Sequence, residues 1–520
     1  MKSLQSLLLR YASATGPDQQ LVPAGVVTDD ISLIRFLCSE PAKVCGMGEL
    51  VDDDCRAILC IADRLFHCPT RSSREIADGL SLSREQLTRL YRVIRQTRAI
   101  QNALTFESPL RRRISFLRKE LLPVNLPTLY AMFNGEVCLP NHVEFHPSLM
   151  CNLRCRACPN CQTDSNGNWF FLGYSRLGVP LTAQRLHLLA DLFLTMGVRN
   201  FSFGGGGEPS LSELTLGGIT HLRGASSKSE ISLYTNGIFP TSWAAMEFHT
   251  LVASLNKVRF SIDAANALEW SRYKGRPEEF FELLWNNING VVKARKIAGS
   301  STRIGASCLV SDLTCSDVGA FLERARDTGL DFCDIKAVET CFGEKAEFKV
   351  QTGKIKEAFG KLMQQVCDGH FAPMDVVVDD SLLRDDDLAD CDTLPSRCWV
   401  AIRGRMLTVG PYGELYPCSD AANPGAKERH NNKLIGLLTA FADLDTLRAE
   451  FTALWNDSLA RRETLSRENC SYCVPSHNNF NTAVDKLYQD WLYGVMPEDQ
   501  PFAGETDHYL TSRGVQGQPF

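Results

Sequence analysis

No stretch of the chain reaches the 18 or more apolar residues expected of a membrane-crossing helix, so no transmembrane span is expected. The apolar start is broken by Gln5, Ser6 and Arg10, which favours an amphipathic first helix over a secretory leader. Charge of one sign is scarce. Lys and Arg number 55 and Asp and Glu 61, a net charge of −6, which excludes the basic surface of a general nucleic-acid binder. Histidine is sparse too, at 10 residues, and neither His146 nor His477 is assigned an acid–base role. Cysteine is what the chain has in quantity, 20 in 520 residues. Tight clusters with metal-ligand spacing, plus singles such as Cys38, Cys60, Cys308 and Cys333, fit a reducing cytoplasm and metal ligation better than disulfides.

The length allows roughly three domains of about 150 residues each, and 44% hydrophobic with 22% charged residues is ordinary for a globular protein. Residues 1–140 read as a helical domain. Two short amphipathic helices flank a turn at Gly79, and Ser83 with Gln86 has the spacing of a capping box. From 141 to 340 short apolar runs alternate with helical patterns. Strands are expected at 143–146, 198–203, 231–234, 258–262, 303–310 and 332–338, with helices such as 182–196 and 280–297 between them. Six such units predict an α/β parallel sheet or an open barrel, and the family resemblance carried by the motifs below implies a partial (β/α)6 barrel. Residues 341–397 form a connector carrying the acidic run Asp385-Asp-Asp. Residues 398–496 form a small cysteine-containing domain ending in a helix over 481–493, and 497–520 a loose tail.

Directly after the first strand comes Leu149-Met-Cys-Asn-Leu-Arg-Cys-Arg-Ala-Cys-Pro, with Cys151, Cys155 and Cys158 spaced C-x3-C-x2-C. Three thiolates on one loop can hold three irons of a [4Fe–4S] cluster and leave the fourth open to a substrate or cofactor. The second strand runs into Gly204-Gly-Gly-Gly-Glu208-Pro209, the third ends at Thr235-Asn236-Gly237, and the fourth at Ser261-Ile-Asp263. In this order at strand ends, these motifs resemble the radical S-adenosylmethionine superfamily, over about residues 141–340. The resemblance implies that the open iron binds S-adenosylmethionine. Gly206, Gly207 and Glu208 would meet its amino group, with Thr235, Asn236, Ser261 and Asp263 among the further cofactor contacts. Two features depart from the pattern. Ala157 stands where an aromatic residue often precedes the third cysteine, and Cys161 adds a fourth thiol.

A second constellation comprises Cys398, Cys418, Cys470 and Cys473, with Gly413 in the hairpin-like turn Pro411-Tyr-Gly-Glu. It resembles the auxiliary-cluster domains called SPASM and twitch. No cysteine follows Cys473, which fits the shorter twitch form with one auxiliary [4Fe–4S] cluster. A structural zinc site uses the same donors, and Cys391 is an alternative ligand.

The resemblance implies reductive cleavage of S-adenosylmethionine to a 5′-deoxyadenosyl radical and hydrogen abstraction from substrate, with net oxidation if the auxiliary cluster accepts the electron. A flavodoxin, ferredoxin or reductase would be the electron donor. The expected substrate is a small polar natural-product-type molecule, since residues 80–122 loosely resemble the helical start of the radical deaminase of desosamine biosynthesis. A ribosomal-peptide maturase is the alternative, since residues 50–100 loosely resemble winged-helix peptide-recognition domains. A non-catalytic iron–sulfur or zinc protein is the alternative of another class. Asp334 and Glu339, at the sixth strand, are candidate substrate contacts.

Overall fold

The computed structural model describes residues 30–67, 73–97, 100, 126–148, 150–156, 158, 160–163, 169–171, 178–243, 245–310, 317–337, 362, 365–366, 369–378, 397–419, 421–422, 434–470 and 475–494. The chain forms two compact units, Met1–Glu136 with Asn479–Phe520, and Val137–Asn478.

In the first unit, α1 (Asp30–Val44), α2 (Asp52–His67), α3 (Ser73–Leu80) and α4 (Arg84–Gln96) bury Ile34, Ile58, Ile76, Tyr91 and Ile94 in a core of their own. The expected capping box is present. Ser83 Oγ accepts from Gln86 N at 3.1 Å while Gln86 Oε1 accepts from Ser83 N at 2.9 Å. The turn lies at Ser81, whose φ of 54° breaks the chain direction, and not at Gly79, which stays helical. Helix α5 (Leu126–Phe133) completes the N-terminal part of this unit.

The second unit follows as β1 (His142–Phe145), a hairpin of β2 (Cys161–Thr163) and β3 (Trp169–Phe171), α6 (Ala183–Thr195), β4 (Asn200–Phe203), α7 (Glu213–Ala225), β5 (Glu230–Thr235), α8 (Ala245–Ser254) and β6 (Lys257–Ser261). Then come α9 (Ala267–Lys274), α10 (Glu279–Ala298), β7 (Arg303–Val310), α11 (Val318–Thr328), β8 (Phe332–Ala337) and β9 (Asp375–Val378). Last are α12 (Trp399–Arg403), β10 (Leu407–Val409), β11 (Glu414–Tyr416), β12 (Gly436–Leu437), α13 (Leu444–Asp457) and α14 (Leu459–Asn469), while α15 (Pro475–Leu492) falls mostly in the first unit. The C-terminal helix starts earlier than expected, with Pro475 at its first position, where the missing N–H costs nothing.

The six expected strands lie side by side and parallel as β1, β4, β5, β6, β7 and β8, in the ten-stranded order β12-β11-β10-β1-β4-β5-β6-β7-β8-β9. Strand alternation sorts the side chains. Val143, Phe145, Phe201, Phe203, Ile231, Leu233, Val258 and Phe260 face the helices and form the core with Leu189, Phe193, Leu284 and Ile288. The opposite face carries His142, Glu144, Ser202, Ser307, Asp334 and Thr408, all buried. A polar face that is buried yet excluded from the apolar core is the lumen of a sheet curled on itself, an α/β partial barrel.

Two parts depart from expectation. Residues 375–378, inside the expected connector, pair in parallel with β8. Strands β10, β11 and β12, expected in a separate small domain, enter the same sheet, with β10 parallel to β1. Both segments are short, and their partners are remote in sequence, so local patterning does not reveal the pairing. The run at 385–387, Cys391 and the tail from 497 lie outside the described residues.

Candidate functional site

The loop after β1 carries Cys151, Cys155 and Cys158 and is tied down on three sides. Its Arg154 and Arg156 amides donate to the carbonyls of Lys274 and Tyr273 at the end of α9, each at 2.9 Å. Asn152 Nδ2 donates to Ile238 O at 2.6 Å, and Asn236 Nδ2 donates to Asn152 Oδ1 at 2.7 Å and approaches Cys151 Sγ at 3.8 Å. Glu208 N donates to Met150 O at 2.7 Å. Gly275, with φ of 66°, ends α9 where a Cβ would lie 2.8 Å from Arg154 O, so the helix end and the loop meet backbone to backbone.

The first cysteine loop, Glu208, Thr235, Asn236 and Asp263 therefore lie at the C-terminal ends of β1, β4, β5 and β6, and both carboxylates are already engaged. Glu208 Oε1 accepts from Thr235 Oγ1 at 2.6 Å and Ser210 N at 2.9 Å, and its Oε2 accepts from Asn236 N at 2.7 Å. Burial pushes its carboxyl up against these donors. Asp263, at φ of 62°, receives Lys274 Nζ at 2.5 Å and Leu309 N at 3.1 Å. Burial opposes the Lys274 charge, but Asp263 and the Cys155 thiol raise its pKa. Ser261 is half-buried at the end of β6, and the carbonyl of Gly206 accepts from Asn160 Nδ2 at 3.2 Å. The glycine requirement is visible at Gly204 and Gly205. A Cβ at Gly204 would lie 3.3 Å from Glu144 Oε2, and one at Gly205 (φ of 136°) 3.0 Å from His146 Cγ.

The donor chemistry of the triad fits an iron–sulfur cluster. Burial raises the pKa of Cys151, and neighbouring Cys155, Glu208 and Cys158 add to it. Cys155 is likewise raised by burial, with Lys274 opposing. Crowded thiols held this way gain from a metal that stabilises their thiolates. Among the described residues no three His, Cys, Asp or Glu side chains converge on a single metal-ion position. The thiolates of a [4Fe–4S] cube each take a different iron, so such convergence is not what the triad requires.

Cys398 opens α12, Cys418 follows β11 and Cys470 ends α14. Buried Arg462 links two of these helices, donating to Ala401 O at 2.8 Å and Ile402 O at 3.3 Å. Burial lowers its pKa to about 10 while Cys138 and Cys398 oppose that, so a cation lies beside Cys398 as Lys274 lies beside Cys155. Gly413 has φ of 80° and occupies the expected hairpin turn. Cys473, Ala157 and Glu339, and the side chain of Cys161, lie outside the described residues.

Sequence reasoning missed a buried chain in the lumen. His142 Nε2 lies 2.8 Å from Ser202 Oγ, which donates to Glu144 Oε2 at 3.2 Å, and Glu144 Oε1 lies 2.7 Å from His146 Nε2. Burial would raise Glu144, yet His146, His142 and Ser202 hold it below the usual carboxylate range. The signal was available, since His142, Glu144 and His146 alternate along one strand face. Outside the barrel, a cavity of about 430 Å³ is lined by Gln184, His187, Leu188, Asp191, Phe441 and Ala442, and none of these is an expected site residue.

Neither a family model nor a curated protein matches the chain. Among solved structures, it is similar to Streptococcus suis SuiB bound to precursor peptide SuiA, at 12% identity over 70% of this chain and 71% of that one, with a TM-score of 0.44. It is similar to anSMEcpe with bound AdoMet at 14% identity, over 73% of this chain and all of that one, TM-score 0.43. It is also similar to BtrN in complex with AdoMet and 2-DOIA at 14% identity, over 64% and 88% of the two chains, TM-score 0.29. At these values the likeness assigns no activity to this chain.

Proposed function

We propose that the chain is a radical S-adenosylmethionine enzyme. It acts on a small polar, natural-product-type substrate, with net oxidation through a second [4Fe–4S] cluster. The reading rests on the seating of the cysteine loop at the C-terminal end of β1, hydrogen-bonded to the turn after β5, the glycine-run loop and the end of α9. In parallel α/β folds this end of the strands gathers the reacting groups. Cys151, Cys155 and Cys158 would hold the first cluster. Gly206, Gly207, Glu208, Thr235, Asn236, Ser261 and Asp263 would surround S-adenosylmethionine, and Cys398, Cys418, Cys470 and Cys473 would hold the second cluster.

When bound and reduced, a cluster held by Cys151, Cys155 and Cys158 would supply the one electron for reductive cleavage of S-adenosylmethionine, the chemistry that would start hydrogen abstraction. The chain's own contribution is placement. Glu208 and Asp263, with their oxygens already engaged, act as positioning residues. Asn152 and Asn236 fix the loop, and the buried lumen excludes water from the reacting groups.

The test is anaerobic reconstitution followed by iron analysis and assay with dithionite and S-adenosylmethionine. Two clusters give about eight irons per chain, and one cluster with zinc gives about four irons and one zinc. 5′-Deoxyadenosine is expected from the wild type and not from Cys155→Ala. A reducible cluster that yields none, with an electron paramagnetic resonance signal that S-adenosylmethionine leaves unchanged, overturns the proposal.

A further inference from the structure

The register of β5–β8 brings Tyr234, Arg259 and Asp334 onto the lumen face. Tyr234 pairs with Arg259, Arg259 with Gly305, and Asp334 with Ser307. The Arg259 guanidinium lies 4.3 Å from the Tyr234 ring centroid, stacked on an aromatic face. Its Nη1 is 3.5 Å from Asp334 Oδ2, an ion pair too long to be a full hydrogen bond. Its Nε is buried and makes no hydrogen bond. An arginine is a planar fork of five donors suited to a carboxylate, and here its buried Nε–H donor is unused.

Around the pair, Asp334, Arg259, Arg303 and Lys336 all lie within electrostatic reach of Lys257, Arg303 pairs with Asp375, and Asp334 is only 4% exposed. Burial brings the Lys257 ammonium down to about 8, with Asp334 opposing and the neighbouring cations adding to the fall. A dianion such as phosphate would meet the Asp334 carboxylate. A carboxylate that brings its own ammonium group would satisfy both members of the loose pair.

We propose that Arg259 and Asp334 form a lumen subsite for an amino-acid-type zwitterionic head, Arg259 taking the carboxylate and Asp334 the ammonium group. The subsite names the substrate class for the reaction proposed above and rests on that reading for its chemistry. Its binding rests on these side chains alone.

Ligand-observed NMR on the full chain, without iron or S-adenosylmethionine, tests it with glycine as probe and glycinamide, acetate and inorganic phosphate as comparators. Glycine is expected to bind saturably, and each comparator about tenfold or more weaker, the loss of one charge-assisted contact. Arg259→Gln and Asp334→Asn are each expected to lose about tenfold, with Arg259→Lys intermediate and circular dichroism unchanged. Absence of saturable glycine binding to the wild type overturns the proposal. So does undiminished binding by Arg259→Gln or, where that variant does not fold, by Arg259→Lys and Asp334→Asn. Acetate or phosphate binding as tightly as glycine also overturns it, leaving a plain anion site. Failure to form 5′-deoxyadenosine is a separate outcome, read on the reconstituted enzyme.

Discussion

Asp263 and Lys274 are 3% exposed each and bonded at 2.5 Å, so removing one charge strands the other. Asp263→Asn is expected to cost about 3–5 kcal/mol, read from urea denaturation midpoints, and Asp263→Leu with Lys274→Met to recover much of that loss. Glu414 is a second buried acid. Burial raises its carboxyl to about 7, the Tyr412 amide donates to its Oε2 at 2.7 Å, and Oε1 is buried with no partner. A folded-state value above the unfolded one stabilises the protein below the unfolded pKa and loses that contribution as pH rises through the folded one. Stability is therefore expected to fall between about pH 4.5 and 7, by on the order of 3 kcal/mol from this group. Glu414→Gln should flatten that part of a denaturation-versus-pH series. The cysteine triad was legible in the sequence because its ligands sit on one short loop. The engagement of Glu208 by Thr235 and of Asp263 by Lys274 was not, since each pair joins segments whose proximity only the fold creates.

Among the elements, the six barrel strands were readable from their β-branched and aromatic runs, and the cap of α4 from Ser83 and Gln86. What escaped was the polar stripe on the lumen face. Residues such as Arg259 and Tyr234 interrupt the apolar runs at a period of two, and only a closed sheet turns that interruption into a buried site. Gly237 couples the β5 turn to the outer helices. It has φ of 76°, and a Cβ there would lie 2.3 Å from Leu284 Cδ1 and 2.9 Å from Phe260 Cδ1. Gly237→Ala is expected to destabilise by at least about 1–3 kcal/mol, combining left-handed strain with overpacking. Because Asn236 is its neighbour, the variant should also bind fewer irons on reconstitution, measured by metal analysis.

At the level of the whole molecule, the described residues between 398 and 478 are part of the barrel unit rather than an appendage. Leu407, Val409, Leu415, Phe451 and Trp455 belong to the same core as Val143 and Phe145. A chain ending at residue 397 is therefore expected to fail to fold its barrel, seen as lost near-ultraviolet circular dichroism and aggregation on gel filtration. A soluble, folded truncate would contradict this. The sequence pointed to a separate domain because its cysteine spacing is self-contained, while the strand that merges it is only three residues long. That merger has a consequence for biosynthesis. β1 lies between β4 and β10, and β10 is translated roughly 260 residues after it. Until then one edge of β1, next to the cysteine loop, has unpaired backbone groups and an open side to other strands. Such late, long-range closure slows folding and exposes the nascent chain to aggregation. Slower translation of codons 397–437 should therefore lower the soluble yield more than the same delay after codon 437, a vulnerability of timing rather than of the finished structure.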